Sequence, residues 1–288
     1  MYNVHGWDLF WHTNSSFMKR RYTLLVALMI IVLHGYAMKP KRDYIVTPDS
    51  LGMKYTELQL TTSDNYQINT WVMRPDAGKD NKTVMIVAYG DAMNMSYWVE
   101  QCYYFVQAGF TVITFDYRGF GHSSPFALDS NQLYYNEFAL DLGSVIKYAQ
   151  SEFRGYKVGV RALSMGTAIA TISFSSTPFD YFIGDSFVCD PVAMQDRLRK
   201  ITGRTFAIPK GAENYKSFLD NISIPMLVFS GTKDENTPLS ECKPMVALHA
   251  NRKLITYDGG HLQGIFVLSG KTFGAAYIKD VKVFLKLK

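Results

Sequence analysis

Three polar residues, each just beyond a short apolar run, have the types and order to do chemistry together. Ser164 stands in Ala162-Leu163-Ser164-Met165-Gly166, after the run 158–162. Asp234 follows the run 226–229 in a polar loop, Ser230-Gly-Thr-Lys-Asp234-Glu-Asn-Thr-Pro238. His261 follows the run 254–257, behind Asp258-Gly259-Gly260. A serine hydroxyl is a weak nucleophile near neutral pH. An imidazole can take its proton, and a carboxylate can hold that imidazole in the required tautomer. Such a set attacks a carbonyl carbon and transfers its acyl group. Taken singly, each residue has a plainer reading: a helix N-cap serine, an aspartate capping the helix near Leu239, a structural histidine. The order Ser…Asp…His, with room for one helix and one strand between Asp234 and His261, favours the joint reading.

The elements that must position them read as alternating strands and helices. Lys54–Thr62 and Tyr66–Met73 form a hairpin around Ser63-Asp64-Asn65. The runs 84–88, 112–115, 158–162, 181–183 and 226–229 are short and mostly apolar, as strands buried on both faces are. Phe138, Ala139, Leu142, Val145, Ile146 and Ala149 repeat at helical spacing. Residues 96–108, 165–175, 239–250 and 272–287 are expected as further helices. The predicted fold is α/β, a mostly parallel twisted sheet with helices on both faces. Such sheets bind ligands beyond the carboxyl ends of their strands, where the three residues fall.

From about residue 53 to 288 the sequence resembles the α/β-hydrolase superfamily. Small-x-Ser-x-Gly at 162–166 is similar to its nucleophile elbow. Phe115-Asp-Tyr-Arg-Gly-Phe-Gly-His-Ser123 is similar to the D-Y-R-G-x-G-x-S loop of its small membrane-anchored or exported serine hydrolases, and Ile183-Gly-Asp-Ser-Phe187 and Gly231–Pro238 look like the same group. The resemblance implies a catalytic triad of Ser164, Asp234 and His261. It implies an oxyanion site made by two backbone N–H groups, those of Met165 and Asp91. The loop carrying Asp91 departs from the family pattern: Tyr89 stands where a histidine is usual, and Asp91 brings a carboxyl that must point away from the developing charge. Asp185 and Asp190 are alternative positions for the acid; Asp234 has the better-matching loop. The implied reaction is hydrolysis of carboxylic esters or thioesters through an acyl-enzyme. A small-peptide serine peptidase and an inactive binding module on the same fold are the alternatives. Asp116 and Arg118 are expected to brace their loop, and His122 to be structural. Tyr97, Trp98, Tyr103 and Tyr104 are expected on a helix packed on the sheet, or lining an acyl pocket. Only about 37 residues separate Ser186 from the strand near Ile224, so no large lid domain fits.

Composition narrows the partners. With 48% hydrophobic and 19% charged residues the chain is neither disordered nor fibrous. The formal charge of +5 suggests a basic protein, but six of the 30 Lys and Arg and one of the 25 Asp and Glu lie in residues 1–42, leaving the rest balanced. No basic face for nucleic acid is expected. No metal-type cysteine spacing and no phosphate loop appear, so no cofactor and no metal are expected. Cys102, Cys189 and Cys242 read as small core residues.

The basic excess brackets an apolar segment. Lys19-Arg20-Arg21 precedes residues 22–38, which just reach the roughly 17-residue minimum of a membrane span. The same stretch fits the apolar region of a signal peptide, with small residues at Gly35 and Ala37. The expected organisation is an N-terminal extension (1–21), a transmembrane anchor or signal segment (22–38), a linker (39–52) and the α/β-hydrolase domain (53–288). Translation starting at Met18 rather than Met1 would explain the aromatic, nearly uncharged residues 1–17. Either targeted reading puts the catalytic domain outside the cytoplasm, anchored or secreted. Lys39, Lys41 and Arg42, on the far side of the segment, weaken the orientation rule.

Overall fold

The computed structural model describes residues 38–203 and 205–288. The expected signal or anchor segment, and the choice of start codon, lie outside the described residues apart from Met38. Among the described residues no helix is long and apolar enough to cross a membrane.

Ten strands are described: β1 (Lys39–Pro40), β2 (Tyr55–Thr61), β3 (Gln67–Met73), β4 (Thr83–Ala88), β5 (Ala92–Met93), β6 (Thr111–Phe115), β7 (Lys157–Leu163), β8 (Tyr181–Asp185), β9 (Met226–Gly231) and β10 (Arg252–Tyr257). Eight of them form one sheet in the order β10-β9-β8-β7-β4-β6-β3-β2. The sheet is parallel except for β3, which pairs antiparallel with both β2 and β6. The hairpin and the apolar runs of the sequence are therefore all present. β4, β6, β8 and β9 are buried along their whole length, as their unbroken apolar runs predict.

The helices are α1 (Val99–Gln107), α2 (Tyr135–Glu152), α3 (Met165–Phe174), α4 (Pro191–Thr202), α5 (Tyr215–Asp220), α6 (Leu239–Ala247), α7 (Gly264–Val267) and α8 (Ala275–Phe284). Crossovers in such a sheet are right-handed. The connection from β4 to β6 runs opposite to those from β6 onward, so helices cover both faces. α1 and α8 share one face, where Phe105 meets Tyr277. There, Tyr277 covers a buried ion pair between Arg161 of β7 and Asp185 of β8 (2.9 Å), donating its hydroxyl to Asp185 at 2.7 Å. The helices α4 and α5, between β8 and β9, are a small insertion and not a lid domain.

Residues 39–52 were expected as a linker. Instead they lie on the domain: β1 pairs in parallel with β5, and Pro48 is buried in a short 3-10 turn. The sequence gives little warning, because two-residue strands carry no periodicity.

Candidate active site

Adjacent parallel strands align their carboxyl ends. Leu163 is opposite Asp185, Asp185 opposite Phe229, and Phe229 opposite Ile255. Ser164, Asp234 and His261 therefore all emerge at one edge. Strand spacing alone would leave β7 and β10 about 14 Å apart, at about 4.8 Å per strand. The 258–262 loop closes that distance by folding back across the strand ends. It lies on Gly231, where a Cβ would sit 2.3 Å from the Gly259 carbonyl oxygen. Its far end is caught by Ser186, whose hydroxyl accepts the Leu262 N–H at 2.8 Å. Ser186 was not singled out from the sequence; its only sign was its place in the 183–187 motif.

Ser164 sits at φ 51°, ψ −119°, a strained conformation for a residue with a side chain. The sharp turn lifts its hydroxyl out of the sheet at the N-terminus of α3. The turn packs so closely on β4 that a Cβ at Gly166 would lie 2.1 Å from the Ala88 carbonyl oxygen. The elbow thus demands the small residue its motif shows.

The three side chains meet. Ser164 Oγ is 2.9 Å from His261 Nε2. His261 Nδ1 is 3.1 Å from Asp234 Oδ1 and 3.0 Å from Oδ2. A carboxylate only accepts, so Nδ1 carries the proton and Nε2 faces the serine free to take one. Asp234 is itself held by the N–H groups of Asn236 and Thr237, at 3.0 and 2.9 Å, and by the Thr237 hydroxyl at 2.7 Å. Burial opposes its charge, but His261 and the Thr237 donors outweigh burial and hold its pKa down at about 2. Asp234 is enclosed, whereas Ser164 and His261 remain partly open to solvent.

The alternative acids lie elsewhere. Asp185 is occupied by Arg161 and Tyr277 on the α1/α8 face. Asp190 is the N-cap of α4, accepting the N–H groups of Val192 and Ala193.

The loop after β4 runs beside the nucleophile: a Cβ on Gly90 would lie 3.7 Å from Ser164 Cβ. Met165, the first residue of α3, has no intrahelical acceptor for its N–H. Both expected backbone donors thus lie on segments bordering the serine, Met165 at the start of α3 and Asp91 in the loop after β4. Of the departures at this loop, Tyr89 has a structural role. Tyr89 is fully buried, and its hydroxyl donates to Asp116 at 3.2 Å. Burial pushes the Asp91 carboxyl above the usual carboxylate range, opposed by attraction to His261 and Lys39.

Trp98 is buried and stacks on Tyr89 behind this loop, and Tyr104 packs on Phe273, so these aromatics pack the domain. Arg118 braces its loop through Asp141 and Asp64. Cys189 and Cys242 are neighbours, with sulfurs 3.7 Å apart, and are free thiols. Among the described residues no group of three metal-ligating side chains occurs. A cavity of about 160 Å³ lies by Tyr135, Ile172, Pro209, Tyr215 and Phe218. Ile172 is eight residues along α3 from Ser164, about 12 Å at 1.5 Å per residue.

Residues 79–181 match the family profile described as serine aminopeptidase, S33, and residues 187–263 match serine hydrolase (FSH1). An uncharacterized membrane protein of Saccharomyces cerevisiae is 25% identical over 80% of this chain and 81% of its own length. A probable lysophospholipase L2 of Haemophilus influenzae is 30% identical, over 38% of this chain and 35% of its own. The Pyrococcus furiosus esterase Pf2001 superposes with a TM-score of 0.69 at 22% identity, covering 86% of this chain and 98% of that one. A serine hydrolase without lid from Xanthomonas campestris gives 0.57 at 14%, covering 81% and 94%. The two structural likenesses establish the fold. With the family matches, they show that the chain belongs to the α/β-hydrolase superfamily and is one of its serine hydrolases.

Proposed function

We propose that the protein hydrolyses small carboxylic esters or thioesters with Ser164 as nucleophile, His261 as general base and acid, and Asp234 as the group orienting it. The observation that carries this reading is the unbroken chain of contacts from Ser164 Oγ to His261 Nε2 and from Nδ1 to Asp234. As Ser164 attacks the acyl carbon, His261 takes its proton, and Asp234 stabilises the imidazolium. The carbonyl oxygen becomes an oxyanion, which the N–H groups of Met165 and Asp91 receive. Collapse expels the alcohol or thiol, protonated by His261, and leaves an acyl-enzyme. Water then repeats the sequence, with His261 as its base, and frees the acid.

The partial exposure of Ser164 and the small insertion between β8 and β9 favour modest acyl groups over bulk lipid. The peptidase reading has one observation in its favour, the profile match over 79–181. The anchored or exported placement belongs to the same proposal and is supported by the apolar, basic-flanked composition of residues 19–42.

A chain-length series of p-nitrophenyl esters, run beside aminoacyl p-nitroanilides, tests the substrate class. Wild type should turn over short and medium esters and label with a fluorophosphonate, while Ser164→Ala does neither. Preference for the anilides would favour the peptidase, and failure to label with the fold intact would favour the binding module.

A further inference from the structure

The chain comes onto the domain at Met38, which is buried, and its next residues are tied to the loop beside Ser164. Lys39 donates its N–H to the Asp91 carbonyl at 2.8 Å, and Lys41 donates to that of Met93 at 2.9 Å. The Asn94 side chain donates to the carbonyls of Lys41 and Asp43, at 3.1 and 2.7 Å. The Ile45 N–H donates to Ser96 Oγ at 3.0 Å. On its other side the same stretch holds the 116–123 loop: Gly121 N–H donates to the Lys41 carbonyl at 2.8 Å, and Arg42 donates to the carbonyls of Phe120 and Ser123.

One carboxylate knots these pieces together. Asp116 is fully buried. Its Oδ1 accepts the Met95 N–H at 2.8 Å and the Tyr89 hydroxyl at 3.2 Å. Its Oδ2 accepts the Tyr44 hydroxyl at 2.5 Å and the His122 N–H at 3.2 Å. Tyr89 and Met95 are the two ends of the loop that carries Asp91. Gly121 leaves the room this needs, since a Cβ there would overlap the Asp116 carboxylate. The loop is not self-supporting: Met93 sits at φ 74°, which L side chains disfavour, and its carbonyl is held by Lys41.

We propose that residues 38–45 form a strap that sets the oxyanion loop, with Tyr44 and Asp116 as its positioning residues. The inference rests on the hydrolytic reading above, in which the Asp91 N–H receives the oxyanion. Lys39 fixes the Asp91 carbonyl, on the peptide that follows the donor N–H, and Asp116 fixes both loop ends, so the Asp91 backbone is held from outside the loop. Loosening it leaves the nucleophile and its base in place but displaces a donor that matters only once the carbonyl carbon is tetrahedral.

The test uses the full chain and Tyr44→Phe. This variant removes one hydroxyl and keeps the ring, which packs on Trp71 and His122. Asp116→Asn is the second variant. The substrate is p-nitrophenyl butyrate, and the probe is an alkyl boronic acid, which forms a tetrahedral adduct on the serine. Each variant should lower kcat about 10-fold, within the range for misplacing an active-site group. KM should stay within about twofold, and boronate affinity should fall by the same factor as kcat. Beside an active wild type, variants with unchanged kcat and boronate affinity overturn the strap alone. So does a loss of kcat that tracks a fallen melting temperature while boronate affinity holds. A wild type that neither turns over esters nor binds the boronate overturns the hydrolytic reading, and the strap with it.

Discussion

Replacing Asp234 by asparagine tests the site at its most constrained point. Oδ1 accepts two backbone N–H groups, those of Asn236 and Thr237, which cannot reverse their polarity. The asparagine carbonyl oxygen must therefore take the Oδ1 place. Its amide NH2 is then forced into the Oδ2 place, facing His261 Nδ1 and the Thr237 hydroxyl. The hydroxyl can rotate and accept. An Nδ1–H would then meet the amide hydrogens at the nearer contact and keep only the 3.1 Å approach to Oδ1, so the tautomer with Nδ1 accepting and the proton on Nε2, facing Ser164, is favoured. A base already protonated toward its nucleophile cannot take another proton. The loss in kcat should be on the order of 10⁴, roughly 5.5 kcal/mol, with little change in KM. Steady-state kinetics on a p-nitrophenyl ester from pH 5 to 9 measures it, with circular dichroism to check the fold. An Asp234→Asn enzyme retaining more than a tenth of wild-type kcat would refute the argument, and the acid would have to be sought elsewhere. The same contacts govern stability. The Asp234 pKa is about 2 against an ordinary 3.8, so its stabilisation is present above about pH 4 and lost as pH falls toward 2. It is worth about 2 kcal/mol, readable as a melting-temperature difference between wild type and Asp234→Asn that closes at low pH.

Three further outcomes follow from other contacts. Asp91→Asn should leave kcat unchanged or raise it, because it removes a carboxyl near His261 and keeps the backbone N–H; a fall of two orders of magnitude would give the carboxyl a role in the chemistry. Gly166→Ala should cost about 3 kcal/mol or more in urea unfolding, since its Cβ meets backbone and not a movable side chain. Asp185→Asn should cost on the order of 3 kcal/mol by leaving Arg161 without its counter-ion, while KM stays at the wild-type value; a changed KM would place Asp185 closer to the substrate than its contacts do.

Much of the molecule could be read before folding because the signals were local and repeated. Val84–Ala88 and Met226–Phe229 are strands because unbroken apolar runs of that length are stable between two helical layers. Ser164 and Gly166 announce their turn by size, and His261 by the two glycines before it. What escaped was long-range or non-periodic. Tyr44 and Asn94 matter through partners 72 and 53 residues away, and no single-sequence pattern encodes such a pairing. Ser186 and Thr237 are ordinary loop residues until the His261 loop and the Asp234 carboxylate come to lie against them. Helices α4 and α5 were not foreseen because few of their residues are buried, which leaves the apolar spacing faint. Asp190 and Asp185 could not be separated from Asp234 by position alone; the partners each one finds separate them.

The Tyr277 contact bears on the timing of synthesis. Arg161 and Asp185 belong to neighbouring central strands, yet the hydroxyl and ring that seal them from water come from α8, 92 residues beyond Asp185 along the chain. Until that helix arrives, one face of the sheet keeps a hydrated charge pair where the finished domain has a dry core. This side of the core is therefore complete only once α8 has been made and has docked.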